Sequence, residues 1–381
     1  MIQEILLLKM IFLRFLILFL LINLCWSLGF GQLKEKKEKT DLFSKNRNFI
    51  ILPEFGFSPE TGSKFGVFAV SSFYTDSNKI KTRNSTVSFN TFYTTKNQFN
   101  FSTYSSLWTK NNKAHYTADL SYINFPLNFY GLGNNTADSS KQLLDSKRIR
   151  AIIEYEFLIR RNLYAGTYLS YQNDQYSTRE NGIFESLKPN GNKGGNLGFI
   201  GTSLIFDNRD YQTFAKKGAF HKIQFRIAPN VLLNEYSVFR LNIQTRKYQQ
   251  LHTNLFIAGQ LQYQYTGGNN IPFYLLNELG NSNSMRGYYA GRFRDQSLLT
   301  GQAELRWWPL KRFIFAAFGG AGNVYGKYSS SENIKPNYGA GFRFVYDLIG
   351  KQSLRFDYGF GEKNTEEKRI QGFYISVNEA F

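Results

Sequence analysis

Cysteine and histidine are nearly absent from this sequence. Its 381 residues include one cysteine and three histidines. Cys25 lies in an N-terminal apolar run, so the rest of the chain can hold neither a disulfide framework nor a cysteine-ligated zinc ion. His115, His221 and His252 are far apart and lie outside any recognisable metal-binding or catalytic motif. We therefore predict a protein that is not an enzyme and has no catalytic residue, no metal and no cofactor.

Helical periodicity is lacking as well. From residue 49 onward, no segment of about a dozen residues keeps an apolar repeat of 3.6 residues, whereas strict alternation recurs many times. In "LFIAGQLQYQY", Leu261 and Tyr263 share one face of a strand, while Gln260 and Gln262 share the other. In "FRLNIQTR", Ile243 likewise alternates with its polar neighbours. Such strands separate two environments of opposite polarity.

Counting these segments with their turn signals predicts about sixteen strands, an even number as bacterial barrels require. Their centres lie near residues 53, 69, 89, 102, 119, 154, 168, 202, 223, 241, 260, 303, 317, 342, 355 and 375.

Aromatic residues, 17% of the chain, decide between a membrane barrel and a soluble sandwich. They cluster at strand ends, as in "NFYGLG" and "RWWPLKRF", where Trp307 and Trp308 resemble an interfacial girdle. A sandwich would bury such residues in a core. The pattern therefore predicts an all-β fold, a transmembrane antiparallel β-barrel formed by residues 49–381.

The chain opens with an export sequence. Residues 11–31 are an apolar run with a basic flank and small residues at its end. They predict a signal peptide over residues 1–31, cleaved before Gln32, with Met10 as an alternative start. A permanent anchor is the alternative, because the run approaches the ~20 residues of a spanning helix. Residues 32–48 are predicted to be a charged periplasmic tail.

Basic residues outnumber acidic ones, giving a formal net charge of +18. Such a balance indicates an anionic partner. Because the chain is exported and shows no nucleic-acid motif, we predict no nucleic-acid partner and assign the charge to outer-membrane lipid and a net-basic lumen. The predicted basic lumen positions are Lys222, Arg226, Arg240, Arg246, Arg306, Arg343 and Arg355, with Glu154, Glu156, Glu304 and Asp357 as acidic counterparts.

The final segment, "GFYISVNEAF", has the pattern of a terminal barrel strand. Phe373, Ile375 and Val377 share one face, Glu379 interrupts that apolar face, and Phe381 closes the segment. We predict that Phe373, Ile375, Val377 and Phe381 form a signal read by the outer-membrane assembly machinery.

A polar loop, "NSNSMRGYYAGRFRDQ", lies at residues 281–296 between the eleventh and twelfth predicted strands. Its Met285-Arg286-Gly287-Tyr288 resembles the V/M/L-R-G-F/Y motif in the sixth extracellular loop of the BamA/TamA superfamily, the bacterial surface-antigen barrels. The stretches "PEFGFSPETG", "FDNRDYQTFAKKG", "GQAELRWWP" and the final segment are also similar to that family and occur in its order.

The resemblance implies that this loop folds into the lumen. Arg286, Gly287 and Tyr288 would form its motif, and a wall carboxylate would hold the arginine. Glu304 matches one such carboxylate. The family's second acid, in an F-x-D-x-G segment, is replaced here by Gly320, and Asp357 on a later strand is the predicted substitute.

The resemblance also bears on function. Family members that insert barrels or export proteins carry periplasmic repeat domains, for which residues 32–48 leave no room, so we expect the barrel alone, as a monomer, with a separate periplasmic partner as a possibility. The resemblance implies a role in assembly or translocation of outer-membrane proteins or lipids. A passive channel for small polar solutes and a structural surface protein are the alternatives.

Overall fold

The computed structural model describes residues 47–58, 62–76, 82–229, 234–348, 351–363 and 369–381. The predicted signal peptide lies outside the described residues, as does the predicted tail up to residue 46. The last two residues of that tail, 47 and 48, belong to the first strand.

The described residues form nineteen strands and four short helical turns. The turns are Lys110–Asn112, Asp138–Ser140, Ile183–Leu187 and Phe273–Leu275. The strands are β1 Arg47–Ser58, β2 Gly62–Phe73, β3 Ser85–Thr94, β4 Phe99–Trp108, β5 Ala114–Asn124, β6 Leu127–Phe129, β7 Gln142–Arg160, β8 Leu163–Thr178, β9 Gly194–Asp207, β10 Gly218–Ala228, β11 Val238–His252, β12 Leu255–Gly268, β13 Asn277–Glu278, β14 Arg294–Asp295, β15 Ser297–Leu310, β16 Phe313–Tyr325, β17 Lys335–Asp347, β18 Gln352–Phe360 and β19 Gln371–Val377.

Three of the strands are accessory. β6 pairs with the start of β7 and so extends β5, which pairs with the rest of β7. β13 and β14 pair only with each other, at the base of the loop that joins β12 to β15. The remaining strands number sixteen, and each contains one of the predicted centres. The predicted strand number and the all-β antiparallel fold are confirmed.

The sheet is an antiparallel meander that curves back on itself. Fifteen ladders connect the sixteen strands in chain order, from β1 with β2 to β18 with β19. Among the described residues, no ladder joins β1 to β19. The two ends of the sheet nevertheless meet, because Gln352 at the start of β18 donates a hydrogen bond to the hydroxyl of Ser72 on β2.

The two faces of the sheet have opposite polarity, which makes one face the outer, lipid-facing surface and the other the lumen wall. On β12, Leu261 is 55% exposed and points outward, while Gln260 is buried on the inner face. On β15, Leu305 is exposed and Glu304 is completely buried. No helix among the described residues has the length and apolarity needed to cross a membrane.

Long connections lie at one end of the barrel and short ones at the other. The long-loop end carries residues 125–141, 179–193, 269–296 and 326–334, and the short-turn end carries two-residue turns at 161–162, 253–254 and 311–312. At the long-loop end, a cluster of buried apolar residues that includes Phe129, Phe184 and Phe273 packs the loops together. The core of this protein therefore lies partly among its loops.

Two longer connections also occur at the short-turn end, and one of them, the ten-residue connection 208–217, packs into the barrel. Phe214 is buried against Ile314 and Val345, and its ring meets that of Trp308 at 5.0 Å. Trp307 faces outward, as predicted for a girdle, but Trp308 does not. Alternation along β15 accounts for this, because adjacent residues of a strand point to opposite faces of the sheet.

Candidate functional site in the barrel lumen

The loop between β12 and β15 enters the barrel. Its base is the β13–β14 pair, in which Glu278 lies opposite Arg294. Its apolar residues Met285, Tyr288 and Phe293 are buried in one cluster with residues of the surrounding wall. Burial of this apolar cluster removes the tip of the loop from water and holds it against the wall. The prediction that this loop folds into the lumen is confirmed.

Arg286 lies at the centre of this loop and is completely buried. Its Nη2 is 2.7 Å from Glu304 Oε2, and its Nη1 is 2.6 Å from Asp357 Oδ2. Its guanidinium carbon also lies 3.4 Å from the centroid of the Phe318 ring, in a cation–π contact. The structure thus brings Arg286 to both of the wall carboxylates that the sequence singled out.

The structure leaves no room for a side chain at Gly320, the position at which the resemblance places an acid. A Cβ atom at Gly320 would lie 2.4 Å from the carbonyl oxygen of Gly301 and 2.8 Å from Cβ of Gln302. No side chain fits there without a shift of the neighbouring strand. The second carboxylate therefore comes from β18 instead of β16.

Glu304 binds more than the loop. Its Oε1 accepts hydrogen bonds from Arg306 Nε at 2.7 Å and from Arg343 Nη2 at 2.9 Å. One carboxylate thus meets three guanidinium groups, which is possible because its two oxygens offer about four acceptor sites. The side chains involved are fully buried, so each charge depends on its partners.

Asp357 completes a second part of the same network. Arg343 Nη1 lies 2.8 Å from its Oδ1, and Arg355 Nε lies 3.3 Å from its Oδ2. Arg343 thereby bridges Asp357 and Glu304, the two carboxylates that hold Arg286. We call this group of buried charges the lumen ion network. Its members are Arg286, Arg306, Arg343, Arg355, Glu304, Asp357 and Glu379.

Glu379 corrects one prediction. Simple alternation placed it on the apolar face of Phe373 and Ile375, which are both outward and about 60% exposed. Instead its carboxylate points inward, 3.1 Å from Arg343 and 3.3 Å from Arg306. The backbone of the residue before it, Asn378, has φ 62°, a left-handed conformation that ends the alternation of the strand.

The same reversal separates the residues of the predicted assembly signal. Phe373 and Ile375 face outward, whereas Phe381 is buried inside the barrel in a cluster with Tyr248 and Ala258. Val377 is the last residue of β19. Their role as a signal stays a prediction, and the finished barrel presents only part of the set on its outer face.

Gly287 and Tyr288 extend the loop contacts to further strands. Gly287 has φ 113°, and its N–H donates to the Tyr374 hydroxyl of β19 at 2.9 Å. A Cβ atom there would lie 2.7 Å from the carbonyl carbon of Phe360. The Tyr288 hydroxyl donates to the Pro336 carbonyl of β17 at 2.7 Å. Residue 287 must therefore be glycine, because of both its left-handed backbone conformation and its close approach to the backbone of Phe360.

Arg306, Arg343 and Arg355 were predicted to face the lumen but not to belong to the site. Alternation gives the face of a residue, while cross-strand neighbours depend on register, which the sequence does not specify. The i, i+2 spacing of Glu304 with Arg306 and of Arg355 with Asp357 was the available signal, because such pairs share a strand face.

A second polar chain lies on the inner face of β4, β5 and β7. Ser106 Oγ is 2.8 Å from His115 Nε2, and His115 Nδ1 is 2.7 Å from Glu156 Oε2. This order is that of a serine hydrolase, but Ser106 lies within the β4 ladders, where backbone N–H groups are already paired and cannot stabilise an oxyanion. Among the described residues, no group of three or more potential metal ligands occurs.

A sixteen-stranded antiparallel barrel, with an apolar outer band and a loop held in its lumen by a buried arginine, defines a class of outer-membrane barrel. The chain belongs to the Omp85 superfamily, since the model of the Omp85 superfamily domain matches residues 44–381. The resemblance to the BamA/TamA superfamily is confirmed.

Solved structures show the same fold at low sequence identity. BamA from Haemophilus ducreyi lacking POTRA domains 1-3 is 13% identical with a TM-score of 0.56, over 87% of this chain and 70% of that one. CdiB from Acinetobacter baumannii is 13% identical (TM-score 0.54; 88% and 60% covered), and CdiB from Escherichia coli is 10% identical (0.57; 90% and 63%). This chain thus spans less than two thirds of either CdiB. No curated protein sequence matches it.

Proposed function

We propose that this barrel acts in the assembly or translocation of outer-membrane proteins or lipids, with the seam between β1 and β19 as its working site. The observation that supports this is the contrast between fifteen complete ladders and, among the described residues, none at the seam. Unpaired N–H and C=O groups are costly in hydrocarbon. A client strand can satisfy them by adding to the exposed edge.

The loop contacts support the seam as the mobile part of the wall. Arg286 contacts β15, β16 and β18 through Glu304, Phe318 and Asp357, and its carbonyl accepts from Asn337 of β17 at 3.2 Å. The N–H of Gly287 reaches β19. Five consecutive strands are held to one loop, so opening between any two of them would break buried ion pairs or hydrogen bonds.

A reversible lock at the seam tests the proposal. Leu52→Cys on β1 and Ser376→Cys on β19 would be joined by a disulfide or, if too far apart, by a short bifunctional thiol reagent. The control is Ile223→Cys with Ile243→Cys, which are already opposite each other on β10 and β11. In cells that depend on the variant, outer-membrane protein and lipid composition are measured with and without reductant.

We expect the seam lock to change that composition and reductant to reverse the change, while the control lock has no effect. A change in protein content alone identifies protein clients, and a change in lipid content alone identifies lipid clients. Normal composition with a fully formed seam lock would contradict the proposal.

A passive channel is the second candidate, favoured by the polar inner face of strands such as β12, where Gln260 and Gln262 lie. The loop at 269–296 and the connection 208–217 pack into opposite ends of the barrel, which opposes free diffusion. Conductance of the purified barrel in planar bilayers distinguishes the two. Steady, large, ohmic conductance that is unchanged by the seam lock would favour the channel.

We further propose location in the bacterial outer membrane after cleavage of the signal peptide before Gln32. Membrane fractionation and N-terminal sequencing of the mature protein test this. Uncleaved protein in the inner membrane would contradict it.

A separately encoded periplasmic partner, as a POTRA-like module, is part of this proposal. The similar BamA from Haemophilus ducreyi was solved without POTRA domains 1-3 of that protein. Insertion of a radiolabelled barrel client into vesicles that contain only this protein tests the need for a partner. We expect little insertion until a periplasmic extract is added.

A further inference from the structure

Two arginines face each other on the lumen wall away from the lumen ion network. Arg226 of β10 and Arg240 of β11 are directly opposite in the antiparallel register. Residues opposite each other in such a pair have Cβ atoms about 4.5–5.5 Å apart, and like charges there are destabilising. The pairing therefore needs a compensating interaction.

Within the described part of the chain, both guanidinium groups contact neutral partners. Arg226 Nη1 donates to the Tyr168 hydroxyl at 3.3 Å, and Arg240 Nη2 donates to Asn277 Oδ1 at 3.0 Å. The nearby carboxylates are already bound to other cations: Glu154 of β7 to Lys222 at 2.6 Å, Asp174 of β8 to Arg148 at 2.5 Å and Glu278 of β13 to Arg294 at 3.2 Å. The local balance of charge around the two arginines is therefore positive, and the nearby acids do not neutralise it.

The wall is shaped to hold these two side chains in place. Gly201 of β9 lies opposite Arg226, and Tyr168 of β8 lies opposite Gly201, so the three form one row across the sheet. A Cβ atom at Gly201 would lie 2.7 Å from Cγ of Arg226. Without that atom, Arg226 lies across β9 and its guanidinium carbon is 4.9 Å from the centroid of the Tyr168 ring.

Arg240 is fixed from the other side. Its partner Asn277 belongs to β13, at the base of the lumen loop, and also donates to the Thr266 hydroxyl at 3.2 Å. Two donors beside the arginine pair, Arg226 Nε and Gln224 Nε2, are buried without a hydrogen-bond partner among the described residues. Fixed cations and free donors on one wall are the parts of an anion site.

We propose that Arg226 and Arg240, with Gln224, bind a phosphate-type oxyanion in the lumen. Two guanidinium groups whose nearby carboxylates are paired with other cations match the charge of a phosphate dianion, whereas a single bound carboxylate would neutralise only one of them. Guanidinium groups also bind phosphate oxygens with bidentate geometry. The site accepts either inorganic phosphate or the phosphate of a lipid headgroup, and it does not depend on the proposed function at the seam.

Phosphate binding to the purified barrel in detergent tests the proposal. Titration with inorganic phosphate is followed by calorimetry in a zwitterionic, phosphate-free detergent, for the unmodified protein, Arg226→Gln, Arg240→Gln and the double variant. Arg161→Gln, in the exposed turn 161–162, is the control with the same charge change. Arg226→Lys retains the positive charge but removes the planar guanidinium group that makes bidentate hydrogen bonds. Heat-modifiable migration on gels verifies that each variant is folded.

We expect at least tenfold weaker binding for each single Gln variant, an intermediate loss for Arg226→Lys and no loss for Arg161→Gln. A second arm replaces phosphate by a short-chain phosphatidic acid. Binding of this lipid alone assigns the site to lipid headgroups, and binding of inorganic phosphate assigns it to the free ion. Equal binding by the unmodified protein and the folded double variant, or equal weakening by Arg161→Gln, would overturn the proposal, as would the absence of binding in both arms.

Discussion

Arg286 Nη1 lies 2.6 Å from Asp357 Oδ2, although 71 positions separate the two residues in the sequence. The other terminal nitrogen of the same guanidinium lies 2.7 Å from Glu304. One side chain therefore joins the loop to two strands of the wall that are not adjacent in the sheet. Its energetic role can be measured.

Arg286→Ala is expected to destabilise the barrel by about 3–5 kcal/mol, because it leaves two buried carboxylates short of a partner. Glu304→Ala should lower the free energy of unfolding by more, since it removes the carboxylate that contacts three buried arginines. Urea unfolding of barrels refolded in lipid vesicles gives these free energies.

The double variant Arg286→Ala with Glu304→Ala should cost less than the sum of the single changes, as expected for contacting residues. The exposed pair Arg179–Asp145 is the matched control, where a cycle should give only ~0–1 kcal/mol. Additive effects at Arg286 and Glu304 would show that their contact does not stabilise the loop.

Gly287→Ala is expected to loosen the lumen loop. The left-handed backbone disfavours alanine by about 1–3 kcal/mol, and the new Cβ would meet the backbone of β18. Gly259→Ala is the control, because nothing lies within 4 Å of a Cβ atom at that glycine. Limited proteolysis of whole barrels should cut the loop faster in the first variant only. Equal cleavage of both variants would remove the requirement for glycine at 287.

Arginine should be tolerated on one face of β12 and not on the other. Leu261→Arg places a charge in the lipid, at a cost of ~2–4 kcal/mol near the bilayer midplane. Gln262→Arg places it on the inner face, which contains other charged residues. The folded fraction, from heat-modifiable migration after refolding, should fall for Leu261→Arg. Equal yields would mean that the outer face does not contact lipid.

Lys351 lies in the turn before β18. Its side-chain amine is expected to lose its proton at a lower pH than an ordinary lysine. Burial, together with the nearby Lys216, lowers the pKa of its amine to about 8, and Asp210 acts in the opposite direction. The neutral amine is the nucleophile, so acylation of Lys351 should reach half its maximum near pH 8. Lys216→Gln should move this midpoint up and Asp210→Asn should move it down. Shifts in the same direction would exclude this electrostatic explanation.

The barrel fold could be predicted from the sequence because polar and apolar residues alternate, with a period of two, along strands that have one polar and one apolar face. The resemblance of the motif at Arg286 to the family nominated three members of the lumen ion network, namely Arg286, Glu304 and Asp357. The sequence did not identify Arg343 as a member, because its place in the network depends on which residue of β18 lies opposite it. Such long-range register is set by packing and by the turns.

Local backbone conformation accounts for the other differences. Asn378 adopts a left-handed φ that an alternating pattern cannot anticipate, and so Glu379 was placed on the wrong side of the wall. Single-residue irregularities of this kind change the face of a side chain without changing the hydrophobic pattern.

The inward turn at Asn378 has a consequence for the order of biogenesis. Arg306 of β15 and Arg343 of β17 each receive a carboxylate from Glu379, which follows β19. Until that segment docks, both cations lack one of their counter-ions in a site that excludes water. The network is therefore complete only after the final segment has docked, and a barrel without that segment lacks the ion pairs of Arg306 and Arg343 with Glu379.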